Sequence, residues 1–316
     1  MPLVTVVIPN FNHSQYLKQR ISSVLDQTFQ DFEVIILDDC STDNSRDIIE
    51  HYRNHPKVSV IVYNETNSGS TFKQWKKGLE LASGEYIWLA ESDDYCTVDF
   101  LENAFNGLKG DSEAVVFFCN SDVVDSKNVF IWDLHYIIDK IKEYNWYLPF
   151  KALGKDFIKL ALLQKNVIVN ASAVLFKKES ALKYINKVES YKMCGDWLFW
   201  GLMLLDGSII YEPKKMNYFR LHDATTRTLD SYNKRAIYLI EQISVLNKLM
   251  KAIEYQNKKI VIPLWKELLI TTSLNRLVLL NSLLKQYGVR KTSFFYFKFF
   301  IEKIRVIKRR LVNDTK

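Results

Sequence analysis

The sequence predicts an α/β protein with a mostly parallel central sheet and helices on both faces. Short runs of β-branched residues, apolar on both faces, alternate with segments whose apolar residues recur at helical spacing. Strands buried on both faces belong to parallel sheets that helices cover. A third observation locates a site. The acidic stretches 38–43 and 91–94 each follow a predicted strand, so both should lie beyond the C-terminal strand ends, where such sheets bind ligands.

Residues 4–8 read as a buried strand ended by Pro9 and Asn10. Residues 14–27 carry Leu17, Ile21, Val24 and Leu25 at helical spacing. A second strand over 32–37 leads into Asp38-Asp39-Cys40-Ser41-Thr42-Asp43, and 45–52 returns to helix with Ile48 and Ile49 inward. Residues 58–63 form a third strand, and 71–82 a helix stopped at Ser83-Gly84. The fourth strand, 86–90, runs into Glu91-Ser92-Asp93-Asp94. Further strands are predicted at 114–119 and 173–176, with an irregular stretch rich in Trp and Tyr over 130–150 between them. Residues 196–206 then read as helix and 208–211 as strand. From about residue 231 the chain is predominantly helical.

The net charge of +7 is not spread over the chain. Residues 285–316 hold ten Lys/Arg against Glu302 and Asp314, and the remainder nets −1. A nucleic-acid-binding body is disfavoured, because it would carry its basic residues on the folded face. Cys40, Cys96, Cys119 and Cys194 show no metal-ligand spacing and read as reduced thiols of a cytosolic environment. The sequence enters the first strand without a basic stretch before an apolar run, so no signal peptide is expected, and no run of eighteen apolar residues is present to span a membrane.

Two acidic loops on one sheet edge repel each other unless a positive charge lies between them. A divalent cation on a diphosphate meets that need, and carboxylate oxygens suit Mg²⁺ or Mn²⁺. Asp38, Asp39 and Asp43 could equally be turn formers, with Asp43 or Ser41 capping the helix at 45.

Five segments in order, Pro9-Asn10-Phe11-Asn12, 38–43, Asn67-Ser68-Gly69, 82–87 and 91–94, resemble the N-terminal half of family 2 glycosyltransferases of the GT-A fold. The resemblance holds closely over residues 3–100 and more loosely to about 228. It implies an inverting, metal-dependent transferase with Mn²⁺ or Mg²⁺ as cofactor. Its partners would be a nucleotide-sugar donor, in many members a UDP-sugar, and a saccharide or lipid-linked saccharide acceptor of bacterial surface polysaccharide synthesis. Carried over by position, Asp39 would meet the nucleotide base, with Pro9 and Asn10 forming the other side of its pocket. Asp93 and Asp94 would meet the ribose and the metal; Glu91 stands where many members have Asp and is one methylene longer. Asp196 would be the catalytic base, although an Asp after Gly195 at a helix start is also an ordinary cap. In Tyr218-Phe219-Arg220-Leu221-His222, Arg220 would bind the diphosphate and His222 the metal.

These readings divide the chain into a GT-A domain over 1–228 and a helical C-terminal region over 229–316. The former comprises a nucleotide-binding half to about 100 and an acceptor half over 101–228. Read as a helix, 292–311 sets Phe297, Phe300, Ile301, Ile304, Ile307 and Leu311 on one face beside many Lys/Arg, as an interfacial helix on an anionic membrane surface does. A cytoplasmic enzyme peripheral to the inner membrane face is therefore expected. The contrasting reading is a non-catalytic glycosyltransferase-like module that binds a nucleotide-sugar or a membrane assembly complex. A dinucleotide-binding dehydrogenase is disfavoured, because Pro9-Asn10-Phe11-Asn12 contains no glycine.

Overall fold

The computed structural model describes residues 1–222, 232–271 and 285–286. The amphipathic stretch 292–311 lies outside them.

In chain order the strands are β1 (Val4–Asn10), β2 (Phe32–Asp38), β3 (Val58–Tyr63), β4 (Tyr86–Leu89), β5 (Tyr95–Cys96), β6 (Ala114–Val124), β7 (Phe130–Asp133), β8 (Phe150–Leu153), β9 (Val174–Lys177) and β10 (Ser208–Arg220). The helices are α1 (Ser14–Leu25), α2 (Ser45–Glu50), α3 (Thr71–Leu81), α4 (Phe100–Lys109), α5 (His135–Ile138), α6 (Gly154–Phe157), α7 (Lys178–Tyr184), α8 (Gly195–Met203), α9 (Tyr232–Ala252) and α10 (Ile262–Thr271). The strands make one sheet in the order β3-β2-β1-β4-β9-β6-β10-β5, with β7 against β6 and β8 against β10. β3, β2, β1 and β4 are mutually parallel, as are β6 and β10. β9 lies antiparallel between β4 and β6. The sheet is thus mostly parallel, as the sequence predicts.

Alternation along β1 explains why helices cover both faces. Val4, Val6 and Ile8 join Leu17, Ile21 and Val24 of α1 in one buried cluster. Val7 points the other way, onto α3, where a Cβ on Gly78 would stand 2.4 Å from its Cγ1. Each fully buried Val, Leu or Ile contributes about 1.5–3 kcal/mol, so a strand enclosed on both faces anchors the sheet.

Several elements differ from the sequence reading. β6 continues past residue 119 through Asn120, Ser121 and Asp122, polar residues that an apolar-run criterion rejects. β10 continues past Tyr211 through Pro213, and the register shifts between Glu212 and Lys215, and again before Asn217, accommodate the proline. α4 was not anticipated, although Phe100, Leu101, Ala104, Phe105 and Leu108 form its buried face. The irregular stretch 130–150 contains β7 and α5. No disulfide joins the four cysteines.

The chain forms two compact units. The first is Met1–Glu189 with Gly195–Thr225; the second is Ser190–Cys194 with Thr226–Lys316. Within the second, Glu241 of α9, wholly buried, accepts backbone N–H bonds from Lys192, Met193 and Cys194 at 2.7–2.8 Å. The Tyr191 hydroxyl lies 2.7 Å from that of Ser244. Among the described residues no helix is long and apolar enough to cross a membrane.

Candidate active site

The parallel register brings the ends of β1 and β2 side by side, with Asn10 opposite Asp38. Asn10 Nδ2 donates to Asp38 Oδ2 at 3.0 Å and to Ser41 Oγ at 3.1 Å, and Ser41 N donates to Asp38 Oδ1 at 3.0 Å. Asn12 and Cys40 adopt left-handed backbone, φ 56° and 65°, so both loops turn tightly here. Asp43 accepts from Ser14 N at 2.9 Å and Ser45 N at 3.0 Å, holding the starts of α1 and α2 together. The aspartates at 38 and 43 thus build the loops.

Asp39 is oriented differently. Its backbone N–H donates to Asn10 O at 2.8 Å. Its carboxylate, 5% exposed, accepts from Asn64 Nδ2 at 2.6 Å, Ser68 N at 2.9 Å, Ser68 Oγ at 2.7 Å and Gln74 Nε2 at 2.9 Å. Three of these donors fall on Oδ1 and one, Ser68 Oγ, on Oδ2, so Oδ2 keeps an acceptor position for a ligand N–H.

The loop after β4 carries the other acidic cluster, and its members face different ways. Asp93 Oδ2 lies 3.1 Å from His222 Nε2. Burial pushes the Asp93 carboxyl up, but the imidazoles of His222 and His13 outweigh it and hold the group below its usual range. His13, Asp93 and His222, all half-buried, bring one ligand atom each to within 4.8 Å of one another. The donor types suit a divalent ion, whose bonds of about 2.1 Å place neighbouring ligands about 3 Å apart, the separation of Asp93 Oδ2 and His222 Nε2.

Asp94, expected beside Asp93 on the metal, turns inward instead. Its carboxylate accepts from Asn170 Nδ2 and from Arg220 N, both at 2.9 Å. Arg20 Nη2 stands 3.9 Å away, and both side chains are sealed from solvent. Burial and the neighbouring Asp93 push Asp94 up to about 6. His13 takes the place in the cluster that the sequence reading gave Asp94.

Arg220, expected on the diphosphate, is a brace. Its guanidinium is 1% exposed and donates to Asp93 O at 2.7 Å, Asn128 Oδ1 at 2.7 Å, Gln19 Oε1 at 2.9 Å and Asp125 O at 3.2 Å. The Tyr16 ring lies against it at 4.4 Å. These bonds fix the backbone of Asp93 and the end of β10.

Glu91 Oε1 accepts from Trp75 Nε1 at 2.7 Å. Burial, then the Asp93 charge, push its carboxyl up to about 8. Asp196 opens α8 and accepts from Asn166 Nδ2 at 3.1 Å and from Trp197 N at 2.7 Å. The start of α8 is tightly packed: a Cβ on Gly195 would stand 2.5 Å from the Phe72 ring.

His13 escaped the sequence reading. It is a lone histidine in a loop, and only the fold brings positions 13, 93 and 222 together; no spacing signal could have found it.

The family model for glycosyl transferase family 2 matches residues 5–181. A candidate teichuronic acid biosynthesis glycosyltransferase of Bacillus subtilis, TuaG, is 43% identical over 101 residues, 32% of this chain and 40% of that one. The poly(ribitol-phosphate) β-N-acetylglucosaminyltransferase TarS of Staphylococcus aureus is 37% identical over 102 residues, 32% of this chain and 18% of its own. An Escherichia coli chondroitin synthase is 37% identical over 125 residues, 39% and 18% of the two chains. Each match spans less than half of the relative. Among solved structures, TarS 1–349 in complex with UDP-GlcNAc superposes with a TM-score of 0.60 at 19% identity, over 90% of this chain and 80% of that one. A mannosyltransferase from Pyrobaculum calidifontis in complex with GDP-Man and Mn²⁺ gives 0.53 at 14% identity, over 97% and 81%.

Proposed function

The chain belongs to glycosyl transferase family 2 and has the GT-A fold, and from that premise we propose that it moves a sugar from a UDP-sugar to an acceptor hydroxyl with inversion at the anomeric carbon. The acceptor is a saccharide or lipid-linked saccharide of bacterial surface polysaccharide synthesis. The observation that carries this reading is the set of adjacent strand ends at β1, β2 and β4, which place Asn10, Asp39 and Asp93 at one edge of the parallel sheet. The nucleotide specificity is supported by the UDP and UDP-GlcNAc complexes of TarS.

Asp39 receives the base N–H at Oδ2, which accepts one bond from within the chain, and Pro9 and Asn10 close the other side of the base. Asp93 and His222 would hold Mn²⁺ or Mg²⁺, which would supply positive charge to offset the negative charge of the departing diphosphate. Asp196 takes the acceptor hydroxyl proton as the oxygen bonds to the anomeric carbon, and the bond from that carbon to the diphosphate oxygen breaks on the opposite face. Asn166 orients the Asp196 carboxylate. The long stretch 292–311 brings the enzyme to an anionic membrane surface on the cytoplasmic side, where a lipid-linked acceptor resides.

Thermal melts with UDP, GDP, ADP and CMP, each with and without Mn²⁺, test the donor site, since a ligand of the folded state raises the midpoint. A rise specific to UDP and lost in Asp93→Ala supports the reading. No rise with any nucleotide overturns it and favours the non-catalytic module that binds a membrane assembly complex.

A further inference from the structure

We infer that His13 is a third side-chain ligand, completing with Asp93 and His222 a two-histidine, one-carboxylate site that takes a transition-metal dication before any nucleotide arrives. The three residues come from separate parts of the chain: the loop after β1, the loop after β4 and the residues just past β10. Each is held by structure that does not depend on an ion. The His13 carbonyl accepts the first N–H bonds of α1, from Tyr16 at 2.9 Å and Leu17 at 3.0 Å, which fixes where its ring starts. His13 Nδ1 lies 2.8 Å from Ser92 Oγ. With Nδ1–H donated to that hydroxyl, Nε2 carries the lone pair, the usual arrangement by which a second partner orients a metal-binding imidazole. Leu221 N donates to Val124 O at 2.8 Å, extending the β10–β6 pairing to the residue before His222. The two imidazoles meet edge to face, ring centroids 5.3 Å apart.

The chemistry of this set separates ions. A site built from carboxylates and substrate phosphates suits Mg²⁺, which keeps its water and demands oxygen ligands. Two imidazoles and one carboxylate suit Mn²⁺, Fe²⁺, Co²⁺ or Zn²⁺, and three protein ligands leave coordination positions open. The inference rests on the donor-site reading only in assigning those open positions to a diphosphate; the ion site itself stands on the three side chains.

Direct binding of MnCl₂ to the metal-stripped, nucleotide-free chain tests it, read by the electron paramagnetic resonance signal of free Mn²⁺ and by calorimetry. One Mn²⁺ per chain is expected, bound at least about tenfold more tightly than Mg²⁺. His13→Asn should weaken Mn²⁺ by about tenfold or more, since loss even of an outer partner of a ligand costs about 10–100-fold. His13→Gln is measured beside it, and circular dichroism melts identify whichever variant keeps its fold. Co²⁺ gives a second readout: its visible absorption should change in the variant. Mn²⁺ affinity within twofold of wild type in a folded His13 variant overturns the inference. So does equal affinity for Mg²⁺ and Mn²⁺, or binding to the wild type only once UDP is added. A UDP-induced melting shift measured in parallel reports the donor site separately, so either reading can fail while the other stands.

Discussion

Arg20 and Asp94 face each other at 3.9 Å, with the arginine side chain 0% and the aspartate 2% exposed. The pair lies behind the site. Arg20 Nε donates to Glu91 O at 2.8 Å, and Asp94 accepts from the backbone of Arg220. One buried ion pair therefore links α1, the acidic loop and the end of β10.

Replacing Arg20 with Leu should destabilise the chain by about 3–5 kcal/mol, the cost of leaving a buried carboxylate without its partner. Asp94 is already pushed up to about 6, so part of this loss is recovered by protonation at low pH. The double variant Arg20→Leu, Asp94→Asn should lie closer to wild type than the single one. Urea unfolding at pH 7.5 checks both. A cost below about 1 kcal/mol for the single variant would show that the pair does not brace the loop.

Glu91 supplies a pH dependence whose sign is fixed. Its carboxyl is pushed from an ordinary value of 4.5 up to about 8, so the folded chain holds a proton that the unfolded chain releases. The associated stability is present below about pH 4.5 and is lost as pH rises toward 8. Glu91→Gln mimics the protonated form and keeps an acceptor for Trp75 Nε1. The variant should match wild type near pH 5 and exceed it by on the order of 2 kcal/mol at pH 8. Denaturant midpoints across that range, taken without divalent ions, give the comparison; parallel curves would refute it.

How much of this was legible in the sequence varies by element. β1, β2 and β4 were readable because strands buried on both faces are runs dominated by β-branched and other apolar residues, as Val4 to Ile8 is apart from Thr5; β3, half-buried, carries the same β-branched composition. The extensions of β6 and β10 were not readable, because Asn120, Ser121 and Pro213 belong to strands only where neighbours accept their polarity or missing N–H. Asp93 and His222 were proposed through motif resemblance, and the fold brings their side chains to 3.1 Å. Arg220 shows the limit of that route: residue type suggested a phosphate ligand, whereas its bonds to Asp93 O, Asn128 and Gln19 are set by the fold.

Glu241 makes a prediction about the second unit. Its buried carboxylate receives three backbone N–H groups, those of Lys192, Met193 and Cys194. Glu241→Ala leaves these donors without that acceptor, at about 1–3 kcal/mol for each one left unsatisfied. Glu241→Gln retains one acceptor oxygen and should cost less. Hydrogen exchange at 192–194 should accelerate in the alanine variant; unchanged exchange there would exclude the role.

Asp196→Asn separates binding from chemistry. Asn keeps the size of the side chain and an acceptor for Trp197 N, but it cannot take a proton. If Asp196 is the base, transfer should fall by about 10²–10⁴-fold, while the UDP-induced melting shift stays within experimental error of wild type. Loss of the shift would instead assign Asp196 to nucleotide binding or to the integrity of α8.

Gly195 tests whether the placement of that carboxylate matters. A methyl group there would meet the Phe72 ring at 2.5 Å, far inside contact distance, so either the ring or the first turn of α8 must move. Phe72 is itself 6% exposed and packed edge to face against Trp75, and the ring therefore resists. Gly195→Ala should displace the first turn of α8 and with it Asp196. Displacements of about 1 Å in a catalytic group cost about 10²-fold in turnover, more than the expected stability loss of about 1–3 kcal/mol from overpacking would impose at room temperature. Phe72→Leu in the same chain makes room for the methyl group and should restore part of kcat. If the double variant is as slow as the single one while its melt recovers, the position of α8 does not control the chemistry.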